Sequence, residues 1–237
     1  MKRETLGRVL DCIEAKRRVV LVSDLDSGEE RLLEPGEGKD ETERVNVETV
    51  LRLDRPILGE SERGTRLFYQ PVNPPIRMIL VGAVHIAQPL STMAALAGYE
   101  VIVVDPRSRF AAAERFRGVQ LVDQWPDEAL LALELDARCA VVTLTHDPKL
   151  DEPALRIALR SEAFFIGCLG SKKTHASRLG RLAKLGFNDQ ELQRLHGPVG
   201  LPIGSQSPAE IAISVLAQVT QALRRPSAVA SHPTHAS

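Results

Sequence analysis

The chain has 237 residues, 43% hydrophobic and 26% charged, enough for one large domain or for a domain with a small appendage. A formal net charge of −1 gives no indication of a nucleic-acid or membrane surface. The cysteines at 12, 139 and 168 form no CxxC pair, which argues against a disulfide framework or a zinc knuckle. No apolar signal core or membrane-spanning run occurs. We therefore expect a soluble, cytoplasmic protein without nucleic-acid or membrane partners.

The first 74 residues predict a small α+β subdomain. Its predicted elements are an amphipathic helix at 1–16, a hairpin at 18–34 turning at Asp26–Gly28, a charged, solvated loop at 35–44 and a strand at 64–72. The Asn73-Pro74-Pro75 sequence then breaks regular structure, so we place a domain boundary there.

Residues 75–226 predict a second, larger domain in which short apolar strands alternate with helices. The strands are expected at 78–82, 101–105, 119–122, 140–145 and 164–167, and the helices at 85–97, 126–134, 151–161, 171–185, 189–195 and 207–224. This alternation predicts an α/β fold: a Rossmann-like, mostly parallel sheet with helices on both faces. Ligands of such sheets bind beyond the carboxyl ends of the strands. The tail at 227–237 is predicted to be disordered.

The turn after the first of these strands resembles a dinucleotide-binding fingerprint with one misfit. Gly82 and Ala87 suit the first and third small positions, and Asp105 ends the next strand where a ribose-binding acid belongs. Val84, however, brings a branched side chain to the position where backbone must approach a pyrophosphate. Ordinary dinucleotide docking is therefore disfavoured. His85 is either a ligand contact or a simple helix-start residue.

Two further strand ends carry polar residues. His146 and Asp147 follow one strand and either contact a ligand or partner or merely form the turn. Gly170-Ser171 follows the next strand, and the helix after it opens with Lys172, Lys173, Thr174 and His175. Cationic side chains are normally disfavoured at a helix N-terminus, because the free N–H groups there already carry partial positive charge. This sequence therefore predicts a phosphate-type anion site, although Ser171 could be only a cap and Arg178 and Arg181 only solvated.

The final helix begins with a capping box, formed by Ser207 and Glu210. Its two apolar faces predict that it is buried or forms a subunit interface, so a homodimer is plausible. Gly204, in the preceding glycine-rich loop, is a candidate for lining the site. Cys168 is interpreted as a small buried residue rather than a reactive thiol, and Asp151 as part of ordinary helix capping. No catalytic triad, paired acids or P-loop is evident.

Five stretches, in order, resemble the XdhC/CoxI family of xanthine dehydrogenase accessory proteins. They are GAVHIAQPL, GYEVIVVDPRSRFAAAERF, LTHDPKLDEPAL, GCLGSKKTHASRL and GPVGLPIGSQSPAEIA, and together they cover roughly residues 76–222. The resemblance implies a protein that holds the molybdenum cofactor (molybdopterin) while a cysteine desulfurase supplies sulfur, and then passes it to a molybdenum hydroxylase catalytic subunit. Residues 1–72 match poorly, and no molybdenum ligand carries over.

Three functions stay open from the sequence: a chaperone for the molybdenum cofactor that is not itself an enzyme, an NAD-dependent oxidoreductase, and a non-catalytic scaffold for molybdoenzyme maturation. The first agrees best with the five motifs, and NAD is the less expected ligand. The expected cofactor-binding residues are Gly82, His85, Asp105, Arg107, His146, Asp147, Gly170, Ser171, Lys172, Lys173, Thr174, His175 and Gly204.

Overall fold

The computed structural model describes residues 2–61, 64–107 and 114–224, so the predicted disordered tail at 227–237 lies outside the described residues. The chain divides between Pro74 and Pro75 into two compact units. None of the helices in the described part of the chain is long and apolar enough to cross a membrane.

The N-terminal unit is a four-stranded antiparallel sheet with two helices. Its elements are α1 (Arg3–Glu14), β1 (Val19–Asp24), β2 (Glu30–Leu33), α2 (Glu41–Leu53), β3 (Ile57–Glu60) and β4 (Arg66–Val72). The strands lie in the order β2-β1-β4-β3. The predicted first helix, hairpin and strand at 64–72 are confirmed. Of the apolar residues of α1, Val9 and Cys12 are buried, whereas Leu6, Leu10 and Ile13 are exposed.

Helix α2 begins inside the stretch that the sequence predicts to be a solvated loop. Asp40 caps it by accepting a hydrogen bond from the Glu43 backbone N–H at 2.7 Å. Glu43 itself is buried and paired with Arg31, so one of the charged residues that suggest a loop lies inside the unit. The helical signal comes later in the chain, where Val47, Val50 and Leu51 supply the buried face.

The C-terminal unit is built on a six-stranded, fully parallel sheet. Its elements are β5 (Arg77–Val81), α3 (Ala87–Leu96), β6 (Glu100–Val104), β7 (Gln120–Val122), α4 (Pro126–Ala132), β8 (Cys139–Thr143), α5 (Pro148–Leu159), β9 (Phe165–Cys168), α6 (Lys172–Lys184), α7 (Asp189–Leu192), β10 (Leu195–His196) and α8 (Pro208–Arg224). The strand order is β7-β6-β5-β8-β9-β10. This is the order of a Rossmann fold, with its switch point between β5 and β8.

Each face of this sheet is covered by helices, which explains why the interiors of its central strands are apolar on both faces. In β5, Met78 and Leu80 belong to a cluster with α3 and α8, whereas Ile79 and Val81 belong to a cluster with α4, α5 and α6. All of these β5 side chains are fully buried. The predicted α/β fold with helices on both faces is confirmed. Short β10 was not predicted, because its two residues are too few to show a pattern.

Candidate ligand-binding site

The turns after β5, β8 and β9 lie side by side at the carboxyl edge of the sheet. A Cβ built on Gly82 would lie 2.3 Å from Cγ2 of Thr145, so the first two turns are in direct contact. A Cβ on Gly170 would lie 3.8 Å from Nδ1 of His146, so the third turn lies beside the second. Both glycines have positive φ, 109° and 144°. We call the segments 82–85, 145–147 and 169–171 the strand-end row.

Asp105, which directly follows β6, stabilises the first turn of this row by hydrogen bonding. Its Oδ2 accepts hydrogen bonds from the Ala83 backbone N–H (2.9 Å) and from Arg107 Nη2 (3.1 Å). Its Oδ1 accepts from the backbone N–H and Nε of Arg107, at 2.9 and 3.1 Å. Burial alone would raise the pKa of Asp105, but these donors bring the pKa below its ordinary value. Both carboxylate oxygens are thus engaged by the protein itself.

The remaining residues of the first turn differ in burial. Val84 is half-buried and packs against the apolar cluster beneath α3 and α8. His85 is exposed. The branched side chain thus stands at the start of α3, within the turn where a dinucleotide fingerprint has its second glycine.

At the end of β8, His146 and Asp147 have different structural surroundings. His146 adopts a left-handed backbone conformation with φ 62° and is exposed. Asp147 caps α5 by accepting from the Lys149 N–H at 2.9 Å, and its own N–H donates to Thr145 Oγ1 at 3.0 Å. Because α5 begins at Pro148, the expected capping role of Asp151 is wrong. That residue lies within the first turn of the helix, after the Asp147 cap, and its side chain is buried.

The start of α6 is positively charged. Ser171 caps the helix by accepting from the Thr174 N–H at 3.1 Å, and the two hydroxyl groups lie 2.9 Å apart. Lys172 and Lys173 are exposed, and the first turn carries no acidic residue. The partial positive charge of the helix end and the two ammonium groups therefore add together.

His175 turns away from the exposed lysines. A Cβ on Gly197 would lie 2.0 Å from its Nδ1, so the imidazole packs directly over that glycine. Burial, together with the charge of Arg178, lowers the pKa of His175. The imidazole is therefore neutral at pH 7 and adds no charge to the helix start.

Gly204 and Cys168 lie outside the strand-end row as defined above. Gly204 is exposed in the loop before α8 with φ 76°, and among the described residues no atom lies within 4 Å of where its Cβ would stand. Cys168 is fully buried, and burial raises its pKa to about 11. It is therefore a thiol at neutral pH, in agreement with the interpretation as a small buried residue.

Sequence reasoning missed a buried polar group beneath the row. Thr145 Oγ1 donates to Asp151 Oδ1 at 2.6 Å, and Asp151 lies opposite Arg178. A solvated Arg178 was one of the two interpretations left open by the sequence, and its side chain is only 2% exposed. The available signal is spacing: Asp151 and Arg178 each precede a buried leucine by four residues, Leu155 and Leu182, and so lie on inward helix faces.

Metal-ligating side chains do not converge on this edge. Within the three described ranges, no group of three or more histidine, cysteine or acidic side chains has the arrangement needed to hold a metal ion.

Comparison with known proteins identifies what the chain resembles. Residues 78–219 match a family model described as the XdhC Rossmann domain, which confirms the resemblance inferred from the motifs. A Bacillus subtilis (strain 168) protein, named as a probable xanthine dehydrogenase subunit, is 30% identical over 94% of this chain and 66% of its own length. The Escherichia coli (strain K12) "Molybdenum cofactor insertion chaperone PaoD" is 30% identical over 62% of this chain and 40% of its own.

One solved structure resembles nearly the whole chain. A crystal structure described as a xanthine dehydrogenase from Bacillus halodurans aligns with 98% of this chain and 67% of its own, with 28% identity and a TM-score of 0.67. The chain thus spans from about two fifths to two thirds of the length of these relatives.

Proposed function

Because this chain belongs to the XdhC Rossmann domain family, we propose that it is an accessory chaperone for the molybdenum cofactor. It binds the cofactor as cargo and assists its sulfuration and insertion into a xanthine dehydrogenase-type molybdenum hydroxylase. Its partners are then the catalytic subunit of that hydroxylase and a cysteine desulfurase, and the chaperone itself performs no catalysis. The relative named as an insertion chaperone supports this role.

The observation that carries the proposal is the α6 start at the end of the strand-end row. The pterin of the cofactor carries a phosphate, and this helix end offers free N–H groups, two exposed lysines and no competing acid. Gly170 has no Cβ to obstruct an approaching phosphate. We assign the phosphate to Gly170, Ser171, Lys172, Lys173 and Thr174.

The other members of the proposed site surround this anion position. His146 and Asp147 lie in the neighbouring turn of the row, and Gly82 and His85 lie in its first turn. Asp105 and Arg107 extend the proposed site from that turn toward β6. His175, in the first turn of α6, and Gly204, in the loop before α8, complete the proposed set. Cys168 is excluded as a molybdenum ligand because its thiol is fully buried.

A nicotinamide dinucleotide suits the row less well than the molybdenum cofactor does. In a dinucleotide site the acid after the second strand accepts hydrogen bonds from a ribose. Here both oxygens of Asp105 already accept from Ala83 and Arg107. Val84 adds a branched side chain at the turn that a pyrophosphate would approach.

The test is retention of freshly released molybdenum cofactor by the purified protein during gel filtration, read by pterin fluorescence. We expect pterin to co-elute with the wild type and to be lost from Lys172→Glu/Lys173→Glu. The matched control is Lys184→Glu, which reverses a charge at the other end of the same helix and should retain pterin. NAD(H) serves as competitor and should not displace it.

Activation of an apo molybdenum hydroxylase provides the second measurement. Loaded wild-type protein should increase the activated fraction, and the double charge reversal should abolish the increase. If the protein neither retained pterin nor altered activation, the chaperone function would be wrong. Tight NAD(H) binding with hydride transfer to a carbonyl substrate would instead establish an oxidoreductase.

A further inference from the structure

Asp151 in α5 and Arg178 in α6 form an ion pair beneath the strand-end row. Asp151 is 1% exposed and Arg178 is 2% exposed. Nη2 of Arg178 lies 3.7 Å from Oδ2 of Asp151, which is close enough for attraction but too long for a hydrogen bond. Neither residue reaches the surface, so neither can touch a ligand in the row.

Asp151 is connected upward to the turn after β8. Its Oδ1 accepts a short hydrogen bond from the Thr145 hydroxyl at 2.6 Å. The same hydroxyl oxygen accepts from the Asp147 N–H at 3.0 Å, and the Thr145 methyl group fills the space beside Gly82. The carboxylate thereby fixes the rotamer of Thr145, on which two turns of the row depend.

Arg178 is connected to the next turn of the row. Its Nη2 donates to the Leu169 carbonyl at 3.0 Å, directly before Gly170 and the Ser171 cap. Because Arg178 is itself in the second turn of α6, this bond ties the helix to the strand end from which it starts. The direction of the α6 N-terminus therefore depends on it.

The ion pair between Asp151 and Arg178 is too long, and leaves too many polar atoms unbonded, to be explained by stability alone. Among the described residues, Oδ2 of Asp151 and Nη1 of Arg178 have no hydrogen-bond partner. Buried charges with unsatisfied atoms oppose folding, and apolar replacements of buried pairs are frequently neutral or stabilising. The well-formed bonds of both side chains run instead to the two turns, at 2.6 and 3.0 Å.

We infer that Asp151 and Arg178 are positioning residues, which couple the turn at 145–147 to the turn at 169–171 and hold the α6 start in line with the rest of the row. The pair sets how the two turns stand relative to each other, and a disturbance of either residue is transmitted to the turn held by the other. The expected effect on ligand affinity rests on the proposed function, whereas the coupling of the turns does not.

The coupling is tested by amide hydrogen exchange: one residue of the pair is substituted, and exchange is measured at the turn that the other residue contacts. Arg178→Met should accelerate exchange at the Asp147 N–H, although the substituted residue does not contact that turn. Asp151→Asn, which keeps an acceptor for Thr145, should accelerate exchange at the Thr174 N–H. If both variants fold and neither distant amide changes, the inference is wrong.

A double variant separates positioning from stability. Asp151→Leu/Arg178→Met removes both buried charges together, so the unfolding midpoint should be retained while both turns exchange faster. The matched control is Glu152→Leu/Arg181→Met, which removes the more exposed ion pair between the same two helices. Its exchange at Asp147 and Thr174 should equal that of the wild type, and equal acceleration in both doubles would overturn the inference.

The effect on the proposed function is measured as binding affinity, with inorganic phosphate and the molybdenum cofactor as probes. The buried double variant should bind both at least tenfold more weakly, and the control double should bind as the wild type does. Unchanged affinity in the buried double would refute positioning. If the wild type bound neither probe, the proposed function would fall, and the exchange measurements would still decide the coupling.

Discussion

The methyl group of Thr145 occupies the space beside Gly82 that a side chain at that position would need. A Cβ on Gly82 would stand 2.3 Å from Thr145 Cγ2, well inside van der Waals contact, and the glycine has φ 109°. The two residues belong to the turns on either side of the switch point. Their contact is therefore where the first turn of the strand-end row packs against the second.

Gly82→Ala should consequently destabilise the protein and disturb the row. We expect a loss of roughly 3 kcal/mol, since both a disfavoured backbone conformation and an overpacked contact are introduced. Urea unfolding would measure this loss. Gly98→Ala is the control, because Gly98 also has positive φ (88°) but, in the described part of the chain, no atom lies within 4 Å of where its Cβ would stand. It should cost only about 1 kcal/mol, and equal losses would show that the Thr145 contact is unimportant.

The hydrogen bonds to Asp105 predict a pH-dependent contribution to stability. Burial opposes its ionisation, but the donors of Arg107 and Ala83 lower its pKa in the folded protein. The stabilisation is therefore present above the unfolded pKa of about 3.9 and is lost as the pH falls through the folded value. Asp105→Asn should cost roughly 2 kcal/mol at neutral pH, and this difference should shrink in acid.

Urea unfolding of wild type and Asp105→Asn across the acid range measures that difference. The exposed Glu162 provides the control, since Glu162→Gln should alter the free energy of unfolding little at any pH. A difference for Asp105→Asn that stayed constant down to acid pH would contradict the assigned role of the carboxylate.

Cys168 should behave as a structural thiol. Because it is fully buried with a pKa raised to about 11, it should react with an aromatic disulfide reagent only when the protein unfolds. Cys12 and Cys139 are buried as well, so all three free thiols should become reactive together in urea. Cys168→Ala should keep cofactor retention within about twofold, since the thiol lies out of reach of a ligand. Rapid labelling of the folded protein at Cys168 would contradict this.

The sequence allowed the larger sheet to be predicted because its signals are local. Strands such as Met78–Val81 are apolar at every position, and this reflects burial on both faces rather than on one. The capping box of α8 is equally local: Glu210 Oε2 accepts from the Ser207 N–H at 2.9 Å. The positive charge at the α6 start is also visible in the sequence, because it depends on the consecutive residues Lys172 and Lys173.

The buried ion pair could not be predicted in the same way. Charged residues are rarely buried unless they are paired, so Asp151 and Arg178 are each most reasonably expected at a cap or in solvent. Their burial depends on each other, across two helices that are separated in sequence. The hydrogen bonds that Asp105 accepts from Ala83 and Arg107 depend likewise on rotamers and turn geometry, which the sequence does not show. From the sequence alone, the position of Asp105 after a strand agrees as well with ribose binding as with this structural role.

The strand order has a consequence for the way in which the polypeptide acquires its site. Gly82 meets Thr145 only through the pairing of β5 with β8, and β6 and β7 lie between these strands in the chain. A nascent chain that ends before Cys139 carries the glycine turn and Asp105 but lacks both turns that complete the row. Such distant pairings form slowly, because a long loop must close before any contact compensates for it. The row is therefore complete only after most of the second unit has been synthesised, and an early fragment that ends before β8 lacks two of its three turns.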